Sequence, residues 1–132
     1  MRRILSALAL VLMIMISAQA QQDKEEWVKV YEDDSGINYL RPATAVITGD
    51  TVKVWTRTFQ KDDRSDFEII VTLYLFDCQG HRGKRLHIVG YTRGDHEVVS
   101  ETNPGDWRDI VPDSVGEKLI IAACALRRTG RR

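Results

Sequence analysis

Two cysteines, three histidines and one acidic cluster are the side chains of this chain whose types could do chemistry. Cys78 and Cys124 are an even count, and in a small exported domain an even count favours one structural disulfide. A redox pair usually wants its cysteines two residues apart, and a metal site wants further ligands at recognisable spacing. Neither pattern occurs. A bridge closing a loop this long would stabilise the fold by about 4 kcal/mol on the chain-entropy account.

The histidines, His81, His87 and His96, fall in turns or strands and lack the paired i, i+4 helical spacing of a metal site, so they read as surface residues. Ser35, Ser65, Ser100 and Ser114 have no nucleophile-elbow context. Asp62, Asp63 and Asp66 lack the glycine and distal glutamate of a calcium loop and read as a solvated connection. No catalytic residue, cofactor or metal is therefore expected, and the chain is not expected to be an enzyme. The aromatic residues are more informative. Trp55 shares a strand face with Lys53, Arg57 and Phe59, a mixed surface that could contact a ligand or shelter between long charged stems. These four residues form the candidate binding surface. Trp107, just ahead of a helix, is expected to pack under the start of that helix.

The elements that must position these residues follow from periodicity. Trp27 to Tyr31 is aromatic and β-branched, Glu32 to Gly36 is a turn cluster, and Ile37 to Leu40 is a second short strand. Ala45 to Ile47 leads through Thr48-Gly49-Asp50 into Thr51 to Phe59, two extended runs flanking a glycine turn, which predicts a hairpin. Phe67 to Phe76 is apolar on both alternating sets and predicts a central strand, covered at least in part on each side. Lys84 to Thr92 and Glu97 to Ser100 complete an antiparallel meander of five to six strands, since parallel pairing would need long helical crossovers. Ser114 with Glu117 is a capping box that opens a helix from Val115 to about Leu126. Leu119, Ile120, Ala123 and Cys124 recur on its apolar side, and the sheet is the available partner. Local pattern thus predicts an α+β domain with one C-terminal helix packed on a sheet face. Because Cys124 lies on the helix and Cys78 at the end of the long apolar strand, a bridge would tether the two.

Residues 1–20 stand apart. Arg2 and Arg3 precede an apolar run from Ile4 to Ile16 that ends in Ala18-Gln19-Ala20, the pattern of a signal peptide cleaved between Ala20 and Gln21. A run of this length is short of the roughly 20 residues that span a bilayer. No cysteine lies near the cleavage point, so the mature chain is expected to be exported without stable membrane insertion, to the periplasm or the medium. The 132 residues carry 19 basic and 19 acidic side chains, but that neutrality is an average. Without Arg2 and Arg3, 17 basic residues face 19 acidic ones, and setting aside Arg127, Arg128, Arg131 and Arg132 leaves an acidic domain of −6 with a +4 tail over residues 127–132. Such a balance gives no reason to expect a nucleic-acid partner.

Over nearly all of residues 21–126 the chain resembles the surface-adhesin protein E-like family of small exported bacterial proteins. The resemblance is carried by Trp27, Gly36, Tyr39, Val52-Lys53-Val54-Trp55, Asp77-Cys78, Arg85 to Tyr91 and, most specifically, the run from Trp107 to Leu119, ending at Cys124. It implies an antiparallel sheet with a C-terminal helix held across one face by the disulfide, association with the cell envelope and, for the name-giving adhesin, binding to host matrix proteins. That adhesin is a surface lipoprotein, whereas this chain has no cysteine positioned for acylation. The function expected is a non-catalytic envelope protein with a protein-binding, adhesin-like domain, its partner a protein or an extracellular-matrix component. A periplasmic accessory or structural role is the other class left open.

Overall fold

A computed structural model describes residues 26–94 and 98–129. The signal segment with its Ala20-Gln21 junction, His96, Glu97, Arg131 and Arg132 lie outside the described residues. The elements in chain order are β1 (Val28–Glu32), β2 (Gly36–Leu40), a 3-10 turn (Pro42–Thr44), β3 (Val46–Thr48), β4 (Thr51–Gln60), β5 (Phe67–Asp77), β6 (Arg82–Thr92), β7 (Val98–Glu101), β8 (Arg108–Asp109) and α1 (Val115–Thr129). All strands join one antiparallel sheet whose main path runs β1-β2-β4-β5-β6-β7, with β3 added to β4 and β8 to β6. The α+β meander expected from the sequence is therefore the fold. β8 had no counterpart in the pattern, because two paired residues leave no alternation to detect.

Local chemistry explains the joints. β3 and β4 meet through a two-residue loop, which needs a left-handed residue, and Gly49 supplies it with φ 58°. Gly36 opens β2 where a Cβ would stand 2.5 Å from the Phe59 carbonyl oxygen, too close for any side chain. β5 lies between β4 and β6 and pairs with both along nearly its whole length, which makes it the central strand of the long sheet.

Helix α1 lies across β1, β2, β4 and β5. Leu119, Ile120 and Ala123 project from it onto Leu40, Val52, Val54 and Phe76, and these seven side chains are the buried core. Burying a side chain of the Val, Leu, Ile or Phe type is worth about 1.5–3 kcal/mol, so this one layer carries much of the fold. Cys78, immediately after β5, is bonded to Cys124 on α1 with a Cα separation of 5.9 Å, and so holds helix to sheet beside that core. At the start of α1, the Glu117 N–H donates to Ser114 Oγ at 3.2 Å as a capping box requires, but the Glu117 carboxylate accepts from Asp113 N–H, one residue beyond the usual partner. Asp113 has φ 61°, which turns its N–H toward the helix.

Four expectations need correction. The helix covers one side of β5 only; no described helix or strand crosses the other side, because every strand lies in the same sheet. Trp107 does not pack under the helix start. Around β8 it is Asp106, Arg108 and Ile110 that line the helix side, whereas the Trp107 ring lies beneath Arg82 and Lys84 of β6. The connection carrying Asp62, Asp63 and Asp66 is pinned rather than loose: Arg93 donates to the carbonyls of Gln60, Asp62 and Ser65. Finally, α1 continues to Thr129, so Arg127 and Arg128 belong to its last turn; Arg127 pairs with Asp50 at 3.1 Å and donates to the Cys124 carbonyl, suiting the negative end of the helix.

Candidate protein-binding face

Strand alternation sorts β4 into two sets. Val52, Val54 and Thr56 are buried toward the helix, and Lys53, Trp55, Arg57 and Phe59 point to the side that no described element covers. The structure thus brings the four residues of the candidate surface onto one face, with Lys53 exposed and the other three half-buried. In register beside them stand Tyr39 on β2, Val71, Leu73 and Leu75 on β5, and Lys84, His87 and Val89 on β6. The spacing within β6 breaks the rule of two: Lys84 opposes Leu75 and His87 opposes Leu73, because a β-bulge absorbs Leu86. That extra residue hid His87 from a reading based on alternation.

Four aromatic rings on this face, Trp27, Tyr39, Trp55 and Trp107, are each coupled to a basic side chain. The Arg57 guanidinium lies over the rings of Trp27, at 4.6 Å, and Tyr39, at 4.7 Å. Arg41 approaches Trp27 from 5.7 Å and is ion-paired with Glu26. Trp55 meets His87 edge to face, with ring centroids 5.7 Å apart. Toward the other end, Arg82 and Lys84 lie 4.7 and 5.9 Å from the Trp107 ring. Such pairs hold flat, amphipathic rings and long cationic stems in fixed positions, which lowers the entropy lost when a partner covers them. Trp27, Tyr39, His87 and Trp107 extend the candidate surface beyond the four residues named from sequence.

The charge on this face is one-sided. At one end the Asp77 carboxylate accepts the Gly80 N–H and the Arg82 Nε, both at 2.9 Å, and these bonds hold its pKa below the usual carboxylate value. At the other end Glu32 is bonded to Lys61 and Lys29, which lower its pKa likewise. Both carboxylates are engaged, and a third, Asp109 on the edge strand β8, stands opposite Arg82 without an ion pair among the described residues. Between the two ends the in-register positions of β2, β4, β5 and β6 on this face carry Lys53, Arg57, Lys84 and His87 and no acid. Lys53 and Arg57 have no carboxylate partner among the described residues.

The same face carries one contact between a hydroxyl and an imidazole. His87 Nε2 lies 2.9 Å from Ser100 Oγ, a contact the sequence did not foreshadow. A working nucleophile also needs a third group to orient the base. No side chain bonds the other ring nitrogen of His87 among the described residues. His81 is exposed with φ 52°, and no three His, Cys, Asp or Glu side chains gather as a metal site among the described residues.

The fold is thus a small antiparallel sheet with one face packed by a disulfide-anchored helix and the other presenting paired rings and cations. The chain belongs to the surface-adhesin protein E family, whose sequence profile matches residues 27–125. The structure is similar to that of protein E from non-typeable Haemophilus influenzae, with a TM-score of 0.52 and 8% identity over 76% of each chain, a likeness that concerns the fold. No curated protein sequence matches the chain. The family is one of surface adhesins, not of enzymes.

Proposed function

We propose that this is a non-catalytic, exported envelope protein, periplasmic or secreted, that binds another protein or an extracellular-matrix component through the open face of its sheet. The observation that supports it is the face itself: an uncovered sheet surface on which Arg57, Lys53 and Lys84 stand among Trp55, Trp27, Tyr39 and Leu73 without an opposing acid. A surface of this composition fits a partner segment that combines aspartate or glutamate with apolar side chains. Trp and Arg are the residue types that dominate binding energy where they are central and fixed.

Binding of the mature protein to immobilised matrix and envelope proteins tests the proposal. Trp55→Ala and Arg57→Glu should each weaken the interaction by about tenfold or more, in line with the usual cost of removing a hot-spot residue. Raising the salt should slow association. Binding that is indifferent to both substitutions, with circular dichroism showing the sheet intact, would place the interaction elsewhere. Export is tested by cell fractionation, which should find the chain beginning at Gln21 in the periplasm or medium; a lipid-modified form in the outer membrane would overturn this localisation.

A further inference from the structure

The helix side of the sheet holds a second feature that the open face does not use. Helix α1 covers the part of the sheet around Val52, Val54 and Phe76, and beyond its first turn the sheet floor turns polar. A cleft of about 440 Å³ lies there, closed on one side by the start of α1 and on another by residues 105–110. This volume is in the range of small-molecule sites.

The floor is unusual in chemistry. Asn38 is 6%, Thr56 3% and Thr72 5% exposed, positions where a sheet under a helix ordinarily carries Val or Ile. Part of this polarity is satisfied internally: Thr58 Oγ1 donates to Asn38 Oδ1 at 2.8 Å, and Thr56 Oγ1 donates to the Thr72 carbonyl at 3.2 Å. The Asn38 amide nitrogen and the Thr72 hydroxyl take part in no hydrogen bond among the described residues and are reached from the cleft, which both side chains line, so a ligand there bonds them in place of water. The Tyr74 phenol joins them as a donor, protonated at neutral pH like any tyrosine and with its pKa raised further by burial. At the mouth stand Arg85 and Arg108, neither with an ion pair among the described residues, together with one acid, Asp106.

Donors outnumber acceptors in this set, and the charge at the mouth is two cations against one carboxylate. We infer that the cleft between the start of α1, residues 105–110 and the Asn38–Thr72 floor binds a small hydroxyl-bearing carboxylate, of the class of hydroxy acids and acidic sugars. The carboxylate is met by Arg85 and Arg108 at the mouth, where a guanidinium fork matches its two oxygens. The hydroxyls reach the Asn38 amide, the Thr72 hydroxyl and the Tyr74 phenol, while Asp106 accepts from a ligand hydroxyl and disfavours a doubly charged phosphate. Neither the ligand nor the residues are those of the open face.

The test is a nitrogen-15 NMR titration of the mature protein with glucuronate and gluconate, alongside glucose, acetate and glucose 6-phosphate. Glucuronate or gluconate should shift the Asn38 side-chain amide with a Kd of about 1 mM or below. Glucose, acetate and the phosphate should each bind at least about tenfold more weakly, since each lacks one element of the recognition or adds a repelled charge. Arg85→Gln and Thr72→Val, the first at an exposed site and the second close in shape, should each weaken binding by about tenfold with the fold preserved. Trp55→Ala should leave it unchanged, which separates this site from the proposed protein-binding face. Two results overturn the inference: no Asn38 shift with either acid, or equal shifts in the Arg85→Gln and Thr72→Val variants. A stronger response to the phosphate than to the acids would overturn the ligand class.

Discussion

The Arg57 guanidinium lies 4.6 Å from the centre of the Trp27 ring, so the first turn of described chain is docked on the open face by a cation rather than by an apolar core. Tyr39 adds a second ring at 4.7 Å. Arg57→Ala removes both contacts at a half-buried site and should cost about 1–2 kcal/mol. It should also shift Trp27 emission to the red. Urea unfolding and fluorescence check it, and Arg57→Lys, which keeps charge but loses the flat stack, should fall between. Unchanged emission in the alanine variant would mean that Trp27 is held by something else.

Reduction should act on the helix more than on the sheet. Cys78–Cys124 joins the end of β5 to α1 beside Leu119, Ile120 and Ala123. Replacing both cysteines by serine should destabilise the domain by about 2–5 kcal/mol. Thermal unfolding with and without reductant gives the number. Reaction with a thiol reagent under denaturing, non-reducing conditions should label neither cysteine.

Acid should unfold the domain through its engaged carboxylates. Glu32, Asp33, Asp62 and Asp77 all have pKa values held below normal, chiefly by side-chain hydrogen bonds to Lys61, Ser35 and Arg64 for the first three and by the Gly80 N–H for Asp77. A depressed folded-state value means that the unfolded chain takes up protons first. Stability is therefore complete above the unfolded values near pH 4 and falls as pH drops through the lower folded ones. Urea midpoints should be level from about pH 5 to 7 and decline below about pH 4. Asp77→Asn should flatten that decline, and an unchanged slope would remove Asp77 from the account.

Substitutions should separate the two faces of the sheet. Phe76 is 1% exposed beneath the helix, and Phe76→Ala should cost about 3–5 kcal/mol. Trp55→Ala, on the open side, should cost well under that while weakening binding of the protein partner. Equal destabilisation by the two, measured by urea unfolding, would show that the open face is covered by something beyond the described residues.

The antiparallel meander, the hairpin at Gly49 and the capped helix were legible in local pattern, because each depends largely on neighbours close in the chain, whereas the pairing of β2 with β4 past β3 was not. The cysteine pair was legible for a different reason: an even count has only one pairing when the count is two. Less could be read of the candidate site. Lys53, Trp55, Arg57 and Phe59 alternate on one strand and could be grouped, whereas Trp27, Tyr39, His87 and Trp107 come from other elements, and the bulge at Leu86 shifts His87 out of phase.

By itself the sequence determined which runs form strands and where the helix starts, since hydrophobic period and capping act over short distances, and its even cysteine count favoured a bridge between Cys78 and Cys124. It left open how much sheet one helix can cover. Fifteen helical residues close over four strands and stop, because the sheet is wider than a helix. That mismatch in size, decided only when the strands assemble side by side, leaves the Asn38–Thr72 floor open to a cleft beside the helix, while Trp55 and Arg57 stay uncovered because alternation turns them to the opposite face.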